Sequence, residues 1–301
     1  MNKIVIIAGA TASGKSDFAI DIAEKLNGEI VSCDSMQIYK NMDIGTAKIK
    51  EGEMRGVKHH IIDIVEPFEE FSVGEYSQKA KQVISEIIAR GAAPIIVGGT
   101  GLYIDSIIYP MTFGGSKDIA IRKELEQEYE KFGGEYMYRK LVEIDPDDAN
   151  KIHPNNVKRV LRALEIYRIN GKRKSDLQEL GRSLEYDCRM VVLNPPRDLL
   201  YERINIRVER MFKNDLQLEV EKLLENGVSF DMQSMQAIGY KEFKPFFDGE
   251  IDETQLKEKI KQNSRNYAKR QVTWLKKYDF AKWFDPQSER LEAEKYILNN
   301  F

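Results

Sequence analysis

The chain has 301 residues, of which 42% are hydrophobic and 32% are charged, a composition typical of folded soluble proteins and not of disordered ones. This length fits one large domain or two small ones. No apolar run reaches the ~20 residues that span a bilayer, and two cysteines, Cys33 and Cys188, are too few for a disulfide framework or a four-cysteine metal site. We therefore expect a cytoplasmic protein without a membrane segment.

The net charge of −3 conceals two strongly basic segments. Residues 151–174 and residues 257–277 each contain eight Lys or Arg and one acidic residue, a local charge of +7. Because the rest of the chain is acidic, this pattern indicates a defined binding place for a polyanion. Two solvated helix faces are the alternative interpretation.

The N-terminal third alternates between strand and helix patterns. Continuous apolar runs predict buried strands over residues 3–8, 29–33, 61–65 and 94–97. Apolar residues at helical spacing predict one helix after residue 14 and another over 76–90. This alternation is typical of an α/β fold, in which helices cover both faces of a parallel sheet.

The pattern changes after Pro110. Residues 116–186 are mostly polar and helical, with breaks at 133–134 and 145–146, and a buried strand resumes over 189–193. The sequence from 198 onward is again mainly helical. We therefore predict an α/β core formed by residues 1–115 and 187–301, interrupted by a helical insertion over 116–186.

Residues 9–16 read GATASGKS, which matches the phosphate-loop pattern G-x-x-x-x-G-K-[ST] in full. The motif follows a buried strand and precedes a helix, as a phosphate loop must, because the helix N-terminus and the loop N–H groups bind the anion. Lys15 would place a positive charge on a diphosphate or triphosphate, and Ser16 would ligate Mg²⁺. The predicted phosphate-binding residues are Gly9, Ala10, Thr11, Ala12, Ser13, Gly14, Lys15 and Ser16.

The strand over 94–97 ends in glycines, where ordinary NTPases carry the aspartate that holds Mg²⁺. This ending argues against a motor or switch NTPase. Gly99 and Gly101 would let a ligand approach the backbone, and Thr100 offers a hydroxyl group. A plain glycine turn is the alternative.

Asp34 follows the second strand, and ligands of open α/β sheets bind at the carboxyl ends of strands. Its carboxylate is thus expected opposite the phosphate loop, either as a proton acceptor or as a cap for the backbone of its own loop. The histidines His59 and His60 lack a third ligand at helical spacing, so we interpret them as making local hydrogen bonds before a strand.

Three arginines lie on one face of a predicted helix, because their spacing is i, i+4 and i+7. They are Arg203, Arg207 and Arg210. Such a row can close over a phosphate and stabilise a departing anion. A solvated face paired with Glu202 and Glu209 is the alternative.

An ordered set of motifs runs along nearly the whole chain. It includes GATASGKS at 9–16, SCDSMQIY at 32–39, DIGTAK at 43–48, HHIIDIV at 59–65, GGTGLY at 98–103, RVLRAL at 159–164, QAIGY at 236–240 and KRQVTWL at 269–275. In this order the motifs resemble those of the bacterial tRNA dimethylallyltransferases, also called tRNA isopentenylpyrophosphate transferases.

The resemblance implies a P-loop NTPase-like sheet and the transfer of a dimethylallyl group from dimethylallyl diphosphate. The acceptor would be N6 of the adenosine just 3′ of the tRNA anticodon, and diphosphate would leave with the help of Mg²⁺. By similarity Asp34 is the base for the N6 proton, Thr100 contacts the reacting groups and Arg207 contacts the diphosphate.

The resemblance also implies that the helical insertion grips the anticodon stem-loop of tRNA. Nothing in the sequence demands a dimer, so we expect a monomer. The residues expected to meet tRNA are Asp34, Ser35, Met36, Gln37, Thr100, Arg122, Lys158, Arg159, Val160, Leu161, Arg162, Gln236, Ala237, Ile238, Gly239, Tyr240 and Lys241.

Three other functions fit part of the pattern. A small-molecule or nucleoside kinase would use ATP at the same loop, but it leaves the two basic segments unexplained. A nucleic-acid-binding module with a vestigial loop conflicts with the intact Lys15 and Ser16. A prenyltransferase acting on free adenine nucleotides would not need the large basic insertion.

Overall fold

The computed structural model describes residues 1–111, 118–178 and 183–301. Within these residues one six-stranded sheet forms, with the strand order β3-β2-β4-β1-β5-β6. Every strand pair is parallel, so the predicted α/β fold is confirmed. The strands are β1 (Lys3–Gly9), β2 (Gly28–Cys33), β3 (His59–His60), β4 (Ala93–Gly98), β5 (Asp187–Leu193) and β6 (Lys282–Phe284).

The helices fall into two compact units of the chain. The α/β unit comprises Met1–Ile108 and Glu185–Phe301, and the helical unit comprises Tyr109–Leu184. The helices are α1 (Lys15–Leu26), α2 (Val73–Ala89), α3 (Gly101–Ile108), α4 (Ile119–Ile144), α5 (Pro146–Ala149), α6 (Val157–Asn170), α7 (Lys174–Gln178), α8 (Arg197–Lys213), α9 (Leu216–Glu225), α10 (Phe243–Phe247), α11 (Glu253–Leu275) and α12 (Arg290–Leu298). None of these helices, within the described ranges, is long and apolar enough to cross a membrane.

The sheet is buried on both faces by helices. Val5 and Ile7 of β1 pack with Phe18 of α1 and Ile297 of α12. Because side chains alternate along a strand, the buried residues on either side of Val5 face the other way, toward the layer where α2 and α11 contact the sheet. This two-sided burial explains why the strand sequences are continuously apolar.

The strand register brings three predicted site segments to one edge of the sheet. Ala8 pairs with Gly98, and Gly98 also pairs with Cys33. The residues that follow these three positions therefore leave the sheet at the same level. They are Gly9 of the phosphate loop, Asp34, and Gly99 before Thr100.

The predicted strand over 61–65 is wrong. The third strand is the two-residue β3, so His59 and His60 lie within the strand and not before it. Ile61 and Asp63 have φ values of 61° and 54°, and an extended strand cannot continue through left-handed residues. Ile61 and Val65 are nevertheless buried, at 3% and 5% exposed, which accounts for part of the apolar pattern.

The helical unit has its own core, formed mainly by α4 and α6. Gly133 interrupts α4 with a φ of 80°, and Asp145 caps α5 by accepting a hydrogen bond from the Asp148 N–H at 3.0 Å. These positions coincide with the two predicted breaks. The predicted boundary at 115–116 lies outside the described residues.

The chain leaves and re-enters the α/β unit at adjacent points. The backbone N–H of Glu185 donates to the carbonyl of Ile108 at 2.9 Å. The last residue before the helical unit and the first residue after it are therefore direct hydrogen-bond partners.

Candidate active site

The phosphate loop wraps the N-terminus of α1. Ala12 and Gly14 adopt left-handed backbone conformations, with φ values of 63° and 87°, and such alternation concentrates N–H groups on one side of a loop. A Cβ atom on Gly9 would lie 2.7 Å from the Leu193 carbonyl oxygen, so only glycine fits where the loop begins. Residues 11–16 line a cavity of 1470 Å³, with Gly9 and Ala10 buried beneath it.

Two cations converge on this loop. Lys15 Nζ donates to the Ala10 carbonyl at 3.2 Å. Arg207 of α8 donates from Nη1 to Thr11 Oγ1 and from Nη2 to the Thr46 carbonyl, both at 2.9 Å. Desolvation lowers the pKa of Lys15 to about 8, an effect that the Asp34 charge opposes and the Arg207 charge reinforces. The loop therefore holds two incompletely compensated cations, as an anion site requires.

Asp34 makes the capping contacts that one of its two predicted interpretations describes, and its charge acts on the cations of the phosphate loop. Its Oδ1 accepts from the Met36 N–H at 2.9 Å and from the Gln37 N–H at 3.4 Å, so it caps its own turn. Its negative charge also opposes the lowering of the pKa of Lys15 and of Arg207 that burial causes. The carboxylate thus lies in electrostatic contact with the cations of the phosphate loop.

Thr100 joins the ends of β2 and β4. Its Oγ1 accepts from the Ser35 N–H at 3.2 Å, and its N–H donates to the Cys33 carbonyl at 3.3 Å. Tyr267 of α11 is a side-chain hydrogen-bond partner of Thr100, and burial together with the Asp34 charge raises the pKa of Tyr267 to about 12. This tyrosine lines the cavity and was not predicted from the sequence.

Gln271 of α11 is a second residue that the sequence did not reveal as functional. Its Oε1 accepts from the Thr11 N–H at 2.9 Å, and its Nε2 donates to the Gly99 carbonyl at 3.1 Å. The side chain is 5% exposed. A Cβ atom on Gly99 would lie 2.2 Å from Gln271 Nε2, so the glycine is required by this close approach. Gln271 therefore ties the phosphate loop to the end of β4.

Most of the other predicted residues of the α/β unit line the cavity, but Thr100, Gly239 and Tyr240 do not. Gly239 and Tyr240 are buried behind it, where the Gly239 N–H donates to Glu242 Oε2 at 2.8 Å and the Tyr240 hydroxyl donates to Glu219 Oε1 at 2.6 Å. Thr100 reaches the site through its contacts with Ser35 and Tyr267. The predicted residues that line the cavity include Asp34, Ser35, Met36, Gln37, Arg203, Arg207, Arg210, Gln236, Ala237, Ile238 and Lys241.

The cations of the helical unit divide into two groups. Lys158 and Arg159 are exposed in the first turn of α6, and no ion pair among the described residues includes them. Arg162 places Nη1 3.0 Å from Glu165, and Arg122 places Nη1 3.7 Å from the same carboxylate, whose side chain is 2% exposed. Arg122 and Arg162 therefore compensate a buried charge, which distinguishes Arg162 from the exposed Lys158 and Arg159.

Val160 and Leu161 belong to the interior of the helical unit. They are 2% and 3% exposed and pack in its core, because the apolar stripe of α6 faces α4. Their side chains therefore hold α6 in place and do not form part of its surface.

Part of each basic segment is neutralised internally. In the first segment, ion pairs join Arg168 to Glu128 and Lys174 to Asp148. The second segment forms α11, where Lys261 pairs with Glu209 at 2.8 Å. The cationic surface is therefore smaller than the two charge totals of +7 indicate.

The histidine pair makes local contacts. His59 Nδ1 lies 2.9 Å from the Val57 carbonyl, and His60 Nε2 lies 2.5 Å from Glu29 Oε2. Within 1–111, 118–178 and 183–301, no group of three or more His, Cys, Asp or Glu side chains could hold a metal ion. The two histidines therefore make local contacts at β3, which is an edge strand of the sheet.

The fold and the cavity place the protein among the P-loop enzymes, with a strand-end carboxylate beside the phosphate loop and glycines at the end of β4. Within that class the chain belongs to the IPP transferase family, whose sequence model matches residues 37–278.

Curated relatives support the same membership. The chain is 54% identical over 289 residues to the tRNA dimethylallyltransferase of Caldanaerobacter subterraneus, an alignment that covers 94% of this chain and 91% of the relative. It is 49% identical over 284 residues to the Bacillus subtilis tRNA dimethylallyltransferase, with 94% and 90% covered.

Solved structures agree with this assignment. The tRNA isopentenylpyrophosphate transferase of Bacillus halodurans matches with a TM-score of 0.75 and 42% identity, covering 100% of this chain and 97% of that one. A eukaryotic dimethylallyltransferase acting on tRNA matches with a TM-score of 0.88 and 30% identity, covering 100% of this chain and 79% of that one.

Proposed function

We propose that this protein is a tRNA dimethylallyltransferase. It transfers a dimethylallyl group from dimethylallyl diphosphate to N6 of the adenosine just 3′ of the anticodon and releases diphosphate. One observation carries the proposal: Asp34 shares a single cavity with the phosphate loop, Lys15 and Arg207. This arrangement supports a diphosphate donor that lies beside a proton acceptor, and the names of the relatives supply the substrate class.

The donor's diphosphate occupies the phosphate loop. Lys15, Arg207 and the N–H groups at the start of α1 bind its oxygens. Transfer breaks the bond between C1 of the dimethylallyl group and the bridging oxygen, so negative charge grows on the diphosphate. Cations held in place beforehand stabilise that charge at the moment it develops.

The residues present fit a magnesium ion that is shared with the substrate. The described residues offer no cluster of three ligating side chains, but Mg²⁺ is commonly held by one or two protein groups together with phosphate oxygens. Ser16, which is exposed at the cavity, would supply the protein ligand. When bound, Mg²⁺ neutralises charge on the leaving diphosphate.

The acceptor nitrogen must lose a proton as it gains the dimethylallyl group. N6 forms a bond to C1, the C1–oxygen bond breaks, and the N6 proton passes to the carboxylate of Asp34. The Asp34 turn is braced by Thr100, which holds the Ser35 N–H. The adenosine reaches this point by leaving its base stack, as substrates of other base-modifying enzymes do.

Each unit of the chain contributes its own contacts to tRNA in this proposal. Residues 34–37, 236–238 and Lys241 contact the anticodon loop at the cavity, Gly239 and Tyr240 support them from the interior, and α6 of the helical unit binds phosphates of the stem. In this proposal the enzyme is a cytoplasmic monomer.

The test is incubation with radiolabelled dimethylallyl diphosphate, separately with bulk tRNA and with AMP. Label in the tRNA supports the proposal. Label only in AMP would indicate a prenyltransferase of free nucleotides, and phosphate transfer from labelled ATP without prenylation would indicate a kinase.

Two variants extend the test to the site. Lys15→Ala and Arg207→Ala are each expected to raise the donor KM or lower kcat, while a tRNA gel shift stays unchanged. A lost gel shift with an unchanged donor KM would contradict the assignment of both cations to the diphosphate.

A further inference from the structure

A carboxylate of α9 binds the loop that follows β2. Glu219 Oε2 accepts from the N–H groups of Asp43 and Ile44 at 2.9 and 2.7 Å. Its Oε1 accepts from the Gly45 N–H at 3.1 Å. Three successive backbone donors thus converge on one side chain, a geometry that fixes the backbone of a loop because each N–H must point inward.

The hydroxyl of Tyr240 completes this arrangement. It donates to Glu219 Oε1 at 2.6 Å, and the tyrosine is fully buried. A Cβ atom on Gly45 would lie 2.4 Å from the Tyr240 ring, so the loop and the ring are in direct contact. Glu219 and Tyr240 therefore both contact the loop at Gly45.

The next residue of this loop determines where Arg207 lies. The carbonyl of Thr46, directly after Gly45, accepts from Arg207 Nη2 at 2.9 Å. The guanidinium also donates from Nη1 to Thr11 Oγ1, at 2.9 Å. Two contacts fix the plane of a guanidinium group, and one contact leaves it free to swing.

We propose that Glu219 is a positioning residue that orients Arg207 toward the donor diphosphate by fixing the Thr46 carbonyl. Glu219 does not line the cavity, so it acts through the loop and touches neither substrate. The proposal rests on the donor role of Arg207 proposed above. Loss of one hydrogen bond to a charged group weakens binding by about 10–100-fold, which bounds the expected effect on donor affinity.

The test measures binding of dimethylallyl diphosphate to the tRNA-free protein by calorimetry. Glu219→Ala is expected to weaken donor binding by about 10–100-fold, because Arg207 no longer holds its hydrogen bond to the diphosphate. Glu219→Gln retains the oxygen that serves Asp43 and Ile44 but turns an NH₂ group toward Gly45, so an intermediate loss is expected. Glu221→Gln, on the same helix, is the matched control and leaves donor binding unchanged.

A double-mutant cycle separates positioning from a general loss of stability. If Glu219 acts through Arg207, Glu219→Ala weakens donor binding much less in the Arg207→Ala background than in the wild type. Folded Glu219→Ala or Glu219→Gln protein with wild-type donor affinity would overturn the proposal, and so would additive effects. If Glu219→Ala does not fold, the Glu219→Gln cycle decides on the same criteria.

The same cycle distinguishes the donor role of Arg207 from the positioning role of Glu219. Unchanged donor affinity in Arg207→Ala would overturn the donor role of Arg207 and this proposal with it. Weakened binding in Arg207→Ala, together with unaffected Glu219 variants, would overturn the positioning role alone.

Discussion

Replacing Lys158 and Arg159 together by alanine tests whether the helical unit grips RNA phosphates. Both side chains are exposed in the first turn of α6, and no ion pair of the described residues includes either one. Their charge is therefore available to a phosphate backbone. Arg162 differs, because it lies 3.0 Å from the buried carboxylate of Glu165.

The structure sets the size of the expected effect. Each phosphate contact contributes about 0.9 to the log–log slope of binding against salt for a duplex. Two lost contacts lower the slope by about 1.8, so the variant's deficit in affinity is about 12-fold greater at 50 mM salt than at 200 mM. Adding Arg162→Ala lowers the slope little further, and it destabilises the helical unit because Glu165 loses a partner.

The assay is a tRNA binding titration at several salt concentrations. The control is Lys79→Ala with Lys295→Ala, which removes two exposed charges outside both basic segments and is expected to leave the slope unchanged. If the Lys158 and Arg159 variant binds tRNA with wild-type affinity at both low and high salt, the two residues do not bind phosphates, and this face of α6 is only solvated.

Three further predictions concern the cavity. Asp34→Asn retains an oxygen that caps the turn but removes the proton acceptor, so kcat falls by ~10²–10⁴ without loss of donor affinity; turnover within a few-fold of wild type would assign the proton to another group. Because the pKa of Lys15 is about 8 in the donor-free protein, its positive charge disappears as the pH rises, and kcat/KM for the donor falls through about pH 8. Lys15→Arg stays charged and is expected to lack this decline in kcat/KM. If the decline persists in Lys15→Arg, Lys15 is not its cause. Gln271→Ala leaves the Thr11 N–H and the Gly99 carbonyl without their partner, which lowers the free energy of unfolding by about 1–3 kcal/mol, and a denaturation curve identical to wild type would contradict the bridge.

The fold and the centre of the site were predictable because both depend on local patterns. Continuous apolar runs identified β1, β2, β4 and β5, and the phosphate loop has a fixed spacing. Asp34 followed from the rule that ligands bind where parallel strands end. The strand over 61–65 failed because backbone conformation, here the positive φ of Ile61 and Asp63, overrides an apolar pattern.

The supporting residues were not predictable, since their roles arise from contacts between distant parts of the chain. Gln271 lies 260 residues from Thr11, whose N–H it accepts, and Glu219 lies 175 residues from Ile44. The pairing of Arg162 depends on which face of α6 is buried, and the basic composition of the segment does not reveal it. β6 has only three residues, too few for a periodic signal.

The hydrogen bond between Glu185 and Ile108 has a consequence for how this protein family can diversify. Any segment inserted there begins and ends at neighbouring points, and loop-closure entropy grows only slowly with loop length. Lengthening the inserted segment therefore costs the α/β unit little additional free energy. A recognition module can be lengthened, exchanged or replaced by a short turn while the chemistry at the strand ends is retained, so substrate choice and reaction type are free to evolve separately.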